Sequence, residues 1–174
     1  MTTKRSSVST KYTPEHITSL KENEIFVFGS NLLGKHIGGA ARMAKDKFGA
    51  QEGVLEGITG QCYAIPTLGD DIDLLDLTIS ITLFLQHVKF HKDKYTYYLT
   101  KIGCGIAGWE TCDVREVFQK CLKRIFNGVV PENLYIPKEF DKPKYRLDGT
   151  VLDCECCSYE SPESCAVCEL NNER

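Results

Sequence analysis

The chain has 174 residues, of which 42% are apolar and 26% charged, with a formal net charge of −3. That length accommodates one ordinary domain with a small appendage, and the charge argues against a surface built to hold a long polyanion. No apolar run approaches the ~20 residues of a membrane span, and the polar, Ser/Thr-rich start MTTKRSSVSTKYT lacks the apolar core of a secretory signal, so the expected location is cytoplasmic.

Residues 1–13 read as a flexible lead. Thr13-Pro14-Glu15 then carries a capping hydroxyl, a first-turn proline and an acid, and predicts a short helix to about Leu20. Ile25–Phe28 (IFVF) reads as a strand buried on both faces. The chain breaks at Gly29-Ser30-Asn31, more glycines follow at 34, 38 and 39, and a helix is expected from about Gly39. Its Ala40, Ala44 and Phe48 share one face while Arg42, Lys45, Asp46 and Lys47 mostly point away. Strand, glycine-rich loop and helix is the order in which a backbone presents free N–H groups to an anion.

After Gly49 and Gly53, residues 57–60 (GITG) read as a loop, and Cys62–Ile65 as a second strand ended by Pro66. Asp70, Asp71 and Asp73 precede an apolar helix running to about His91, with Lys89, His91 and Lys92 at its far end, as the helix dipole favours. Tyr95–Ile102 is a strand by composition. It enters a second glycine loop, Gly103-Cys104-Gly105-Ile106-Ala107-Gly108-Trp109. Asp113 with Glu116 predicts a capped helix carrying Val114, Val117, Phe118, Cys121, Leu122 and Ile125 inward, closed by Gly128. Asn133–Ile136 is a last short strand. Strands alternating with helices predict an α/β fold: a three-layer α/β/α domain over residues 14–140 with a mostly parallel sheet, and ligands at the C-terminal strand ends.

Two motifs come close to known nucleotide sites. GSNLLGKH (29–36) matches a P-loop except for its last position, where His36 replaces the Ser/Thr that binds Mg²⁺. GCGIAG (103–108) fits G-x-G-x-x-G, but residues 109–112 separate it from the next helix and the following strand ends without an acid. A nicotinamide dehydrogenase is not expected, nor any redox cofactor.

Taken together, residues 25–49, 61–67 and 97–109 resemble the macrodomain superfamily of ADP-ribose-binding modules. The resemblance is carried by FVFGSN-x-x-G-x-H-x-x-GAA, then YAIPT, then GCG-x-AG. The terminal ADP-ribose protein glycohydrolase branch is similar in its KFG helix end and IGCG loop. This resemblance implies ADP-ribose, or a related NAD-derived nucleotide, lying across the strand ends, with an ADP-ribosylated macromolecule as the wider partner. It implies a ligand site of Gly29, Ser30, Asn31, Gly34, Gly38, Gly39 and Ala40 in the first loop and Gly103, Cys104, Gly105, Ile106, Ala107, Gly108 and Trp109 in the second. If the chain is an ADP-ribosyl or ADP-ribose phosphate hydrolase, Asn31 and His36 are the residues to position water. Hydrolytic members often carry an acid near the place of Gly38, and the glycohydrolase branch a lysine and an acid at the places of Leu68 and Ala107; this chain has none of them.

Single residues keep two readings. His36 is a general base or an ordinary loop histidine; Trp109 stacks on the ligand or packs at a domain edge; Cys104 is a reactive thiol or a small residue the loop requires; Lys35 meets a phosphate or is solvated.

Residues 141–174 form a connector and a Cys-rich tail. Five of the nine cysteines, Cys154, Cys156, Cys157, Cys165 and Cys168, crowd into it, and Cys165-x₂-Cys168 has zinc-knuckle spacing. A structural zinc site is expected there, against the alternative of a disordered thiol-rich tail. Six acids against Arg174 give residues 151–174 a charge of −5, which leaves the first 150 residues at +2.

Overall fold

A computed structural model describes residues 9–141 of the chain. The expected zinc cysteines, Cys154 to Cys168, and most of the N-terminal lead lie outside the described residues. Five strands and three helices follow one another in the order β1 (Glu24–Asn31), α1 (Gly39–Phe48), β2 (Gly57–Thr59), β3 (Cys62–Leu68), α2 (Leu74–Phe90), β4 (Thr96–Leu99), α3 (Thr111–Phe126) and β5 (Leu134–Tyr135). The sheet order is β2-β3-β1-β4-β5. β1 runs parallel to β3 and β4, β4 runs parallel to β5, and only β2 is antiparallel to its neighbour.

The alternation of β1 explains the layers. Ile25 and Val27 enter one core with Tyr63, Ile65, Leu77, Phe84, Val114 and Phe118, and so face α2 and α3. Phe26 and Phe28 enter the other core with Ala44, Phe48, Cys62 and Ala64, and so face α1. Ala44, Cys62 and Ala64 are fully buried and small, which lets α1 sit close: the Cys62 thiol lies 3.7 Å from the carbonyls of both Ala44 and Phe48. The Phe26 and Phe48 rings, 5.1 Å apart, close that side. The chain is thus an α/β structure with helices on both faces of a mostly parallel sheet.

Several local expectations are corrected. Residues 13–20 form no helix. Tyr12 instead bridges Ile136 in parallel, the Thr13 N–H donates to the Ile136 carbonyl at 2.8 Å, and the Thr13 hydroxyl donates to the Leu99 carbonyl at 2.7 Å. The hydroxyl that could cap a helix ties the lead to the sheet.

Gly57–Thr59 is not a loop but strand β2, paired with Cys62–Ala64. β3 passes through Pro66 to Leu68, because β2 stops opposite Ala64 and leaves β3 an open edge that tolerates a residue without an N–H. β4 is shorter than Tyr95–Ile102: the Ile102 N–H turns back to the Thr100 carbonyl at 2.8 Å and leaves the ladder.

Asp113 is not the cap of α3, which begins two residues earlier with Glu110 as N-cap; Asp113 lies in the first turn, where its charge still suits the dipole. α2 does carry a full capping box, with Asp73 accepting from the Leu75 and Asp76 N–H groups and Asp76 accepting from the Asp73 N–H. Among the described residues no helix is long and apolar enough to cross a membrane.

Candidate functional site

The connection β1–α1–β3 runs to one side of β1 and β3–α2–β4 crosses to the other. Successive connections leave in opposite directions at the C-terminal ends of β1 and β4, the place where open parallel sheets form a crevice. A cleft of about 390 Å³ opens there, within the ~300–1,000 Å³ of small-molecule sites.

Its strand-end lining is Gly29, Ser30, Asn31, Thr67 and Leu68; one bank is Lys35 and residues 37–41; the other is Thr100, Lys101, Ile102, Gly103, Gly105, Ile106 and Ala107. The lining residues include two lysines and no carboxylate. The first-turn N–H groups of α1, at Gly39, Ala40 and Ala41, have no intrahelical acceptor, and Gly38 supplies no side-chain cap. All of this favours an anion.

Two contacts bring the loops to the same place. Gly29 must lack a side chain, since a Cβ there would stand 2.6 Å from the Thr67 hydroxyl and 3.2 Å from the Gly103 nitrogen. Across the cleft, a Cβ on Gly38 would lie 2.5 Å from the Ile106 Cδ1. The loops therefore touch over the cleft through Ile106.

Of the residues expected to bind ligand, Gly29, Ser30, Asn31, Gly38, Gly39, Ala40, Gly103, Gly105, Ile106 and Ala107 line the cleft, whereas Gly34, Cys104, Gly108 and Trp109 do not. Gly34 has φ +65° and packs backbone to backbone on Gly53, whose N–H donates to the Gly34 carbonyl at 3.0 Å. Its place in the loop is architectural. Trp109 is a fastener rather than a stacking platform: its indole N–H donates to the Thr67 carbonyl at 2.8 Å and its backbone N–H to the Gly103 carbonyl at 3.1 Å. Gly103, at φ +75°, leaves room for that ring, because a Cβ would meet the Trp109 Cδ1 at 2.8 Å. Cys104 points away from the cleft with its thiol 3.4 Å from the Ile102 carbonyl, and burial raises its pKa, so it stays a thiol.

His36 also lies outside the lining. It is 1% exposed, its ring meets Phe28 edge-on at 5.0 Å, and its Nε2 is 3.0 Å from the Gln51 carbonyl, a geometry that requires Nε2 to hold the proton. Its Nδ1 is buried with no hydrogen-bond partner. His36 thus packs beneath the first loop and does not reach the cleft lining.

Asn31 lines the cleft, but its amide mainly holds the loop: Oδ1 accepts from the Leu33 and Lys35 N–H groups at 3.1 and 2.9 Å, and Nδ2 donates to the Lys35 carbonyl at 2.8 Å. One Nδ2 proton is left for a ligand.

Lys101, Thr67 and Thr100 are lining residues that the sequence did not single out. Lys101 pairs with Glu139 at 2.8 Å, which raises its pKa and keeps it a cation. The signal was available, since each lies within two residues of the C-terminal end of β3 or β4, the strand ends that face the cleft. Leu68 and Ala107 line the cleft too, with aliphatic side chains. Among the described residues no group of three or more His, Cys, Asp or Glu side chains is placed to hold a metal. Comparisons with family models, curated proteins and solved structures gave no match.

Proposed function

We propose that the chain is a binding module for ADP-ribose or a related NAD-derived nucleotide, held at the ends of β1 and β4. The observation that carries this reading is a cleft with two lysines, an uncapped helix N-terminus and no lining carboxylate. The diphosphate lies between the first turn of α1 and the backbone of residues 103–107, within reach of Lys35 and Lys101, and the distal ribose lies toward Asn31. The motif resemblance to macrodomains, carried by residues 25–49, 61–67 and 97–109, supports the same ligand class.

Binding is favoured over hydrolysis by what surrounds the ligand space. No carboxylate lines it, Leu68 and Ala107 fill the places of the glycohydrolase lysine and acid, and His36 is turned to Gln51. The P-loop alternative is less well supported, because α1 opens only at Gly39, beyond Lys35 and His36, so neither residue stands in the first helical turn.

Calorimetric titration with ADP-ribose, with ATP plus Mg²⁺ as the control, tests the reading. Saturable binding of ADP-ribose without ATP is expected. Binding of ATP with Mg²⁺ alone would support the P-loop reading, and no binding of either would remove the nucleotide. Release of ADP-ribose from a modified protein by the purified chain would make it a hydrolase.

A further inference from the structure

The outer faces of α1 and α3 are charged: Arg42, Lys45, Asp46 and Lys47 on one, Lys120, Lys123 and Arg124 on the other, all exposed. α2 breaks the pattern. Its inner side, Leu77, Ile81, Phe84, Leu85 and Val88, is buried in the core, yet its outer side is also apolar. Leu75 is 65% exposed, Ile79 50%, Leu83 43% and Phe90 85%. At 3.6 residues per turn these four and Gln86 fall within an arc of about 80°, so they form one continuous stripe along the full helix. A helix with apolar residues on two opposite sides belongs between two packed layers, and among the described residues nothing covers the outer one. An apolar patch this long on an otherwise charged helical surface marks a contact.

We infer that the stripe is where a second copy of the chain docks, with the two α2 helices antiparallel about a two-fold axis passing near Thr82 and Leu83. The charge at the two ends of the helix selects this occupant and this direction. Residues 70–76 carry Asp70, Asp71, Asp73 and Asp76 with no basic residue, whereas residues 89–94 carry Lys89, Lys92 and Lys94 against Asp93 alone. An antiparallel pair brings each acidic end to a basic end and opposes the two helix dipoles; a parallel pair would stack like charge on like. In this register Leu75 meets Phe90 of the second copy and Ile79 meets its Gln86, the same patch serving both sides as two-fold symmetry requires. The ligand cleft opens at the strand ends and contributes none of these residues, so pairing and ligand binding are separate properties.

Sedimentation velocity of the full chain over a concentration series tests the inference. A reversible monomer–dimer equilibrium is expected. Ile79→Glu or Phe90→Glu, both at exposed positions, should weaken it at least tenfold with the circular dichroism spectrum unchanged. Adding Gln86→Lys to Ile79→Glu should restore most of the association, because residues 79 and 86 face each other only in the antiparallel register. A wild-type chain that stays monomeric at the highest concentration reached overturns the proposal, as does a dimer indifferent to both single substitutions. Failure of Gln86→Lys to rescue overturns the antiparallel register.

Discussion

Trp109 and Thr67 are joined by a single hydrogen bond, indole N–H to carbonyl at 2.8 Å, that ties the loop after β4 to the end of β3. The bond spans the mouth of the sheet and fixes where Gly105, Ile106 and Ala107 stand over the cleft. Trp109→Phe keeps most of the packing and removes the donor. The buried Thr67 carbonyl then loses its partner, at about 1–3 kcal/mol. Chemical denaturation should show that loss, and titration should show weaker ADP-ribose binding without any contact from residue 109 to the ligand. Unchanged affinity in the Phe variant would mean that the loop holds its position without the bond.

Gly38 separates bulk from charge. Its φ of −144° is ordinary for any residue, and the atom a Cβ would press on is the tip of the exposed Ile106 side chain. Gly38→Ala should therefore fold normally and bind nearly as well, with Ile106 moving aside. Gly38→Glu places a carboxylate in a lining that has none, beside the first turn of α1, and should cost at least tenfold in affinity, about 1.4 kcal/mol. Equal binding by the two variants would take the first loop out of the site.

Asn31 offers a test of loop order against ligand contact. Asn31→Ala removes three hydrogen bonds inside residues 31–35 and should lower stability by about 1–3 kcal/mol, the lower part of what three bonds of ~0.5–1.5 kcal/mol each would sum to, because all three are solvent-exposed. Asn31→Asp keeps the Oδ1 acceptor for the Leu33 and Lys35 N–H groups but adds negative charge. It should lose less stability than the Ala variant and more affinity. The reverse order, by denaturation and titration in parallel, would show that Asn31 does not face the ligand.

Four of the five strands and the three helices were legible because their signals are local and redundant, whereas β2, three residues between glycines, read as a loop. IFVF is apolar at consecutive positions because both faces of β1 are covered, and α3 repeats its apolar residues at helical spacing. The false helix at residues 13–20 shows the limit. Thr-Pro-Glu is a sound capping signal, but hydrogen bonds to Leu99 and Ile136, more than eighty residues away, claim the same groups.

In the cleft, glycine patterns located both loops, and the strand-end rule located the cleft itself. What they could not show is which way each side chain turns. His36 and Cys104 lie among lining residues in sequence yet face inward, while Lys101 follows β4 and lines the cleft. Their placement depends on Phe28, Gln51 and Glu139, which come from elsewhere in the chain.

His87 makes stability depend on pH in a definite direction. Its ring lies 4.1 Å from that of His91, tilted by 39°, and packs near Tyr63 and Tyr97, with Nε2 buried and lacking a partner. Burial, reinforced by the charge of His91, lowers its pKa from 6.5 to about 4. The unfolded chain therefore takes up a proton at this residue before the folded one does. The contribution of His87 to stability is fully present above pH 6.5 and is lost as the pH falls from there toward 4. Carboxylates contribute mainly at the acid end of that range, so urea midpoints between pH 7 and pH 5 isolate the histidines. The wild type should lose stability across that interval. His87→Phe, which retains an aromatic ring against Tyr63, should lose clearly less. A variant with the same pH slope as the wild type would assign the acid sensitivity to other groups.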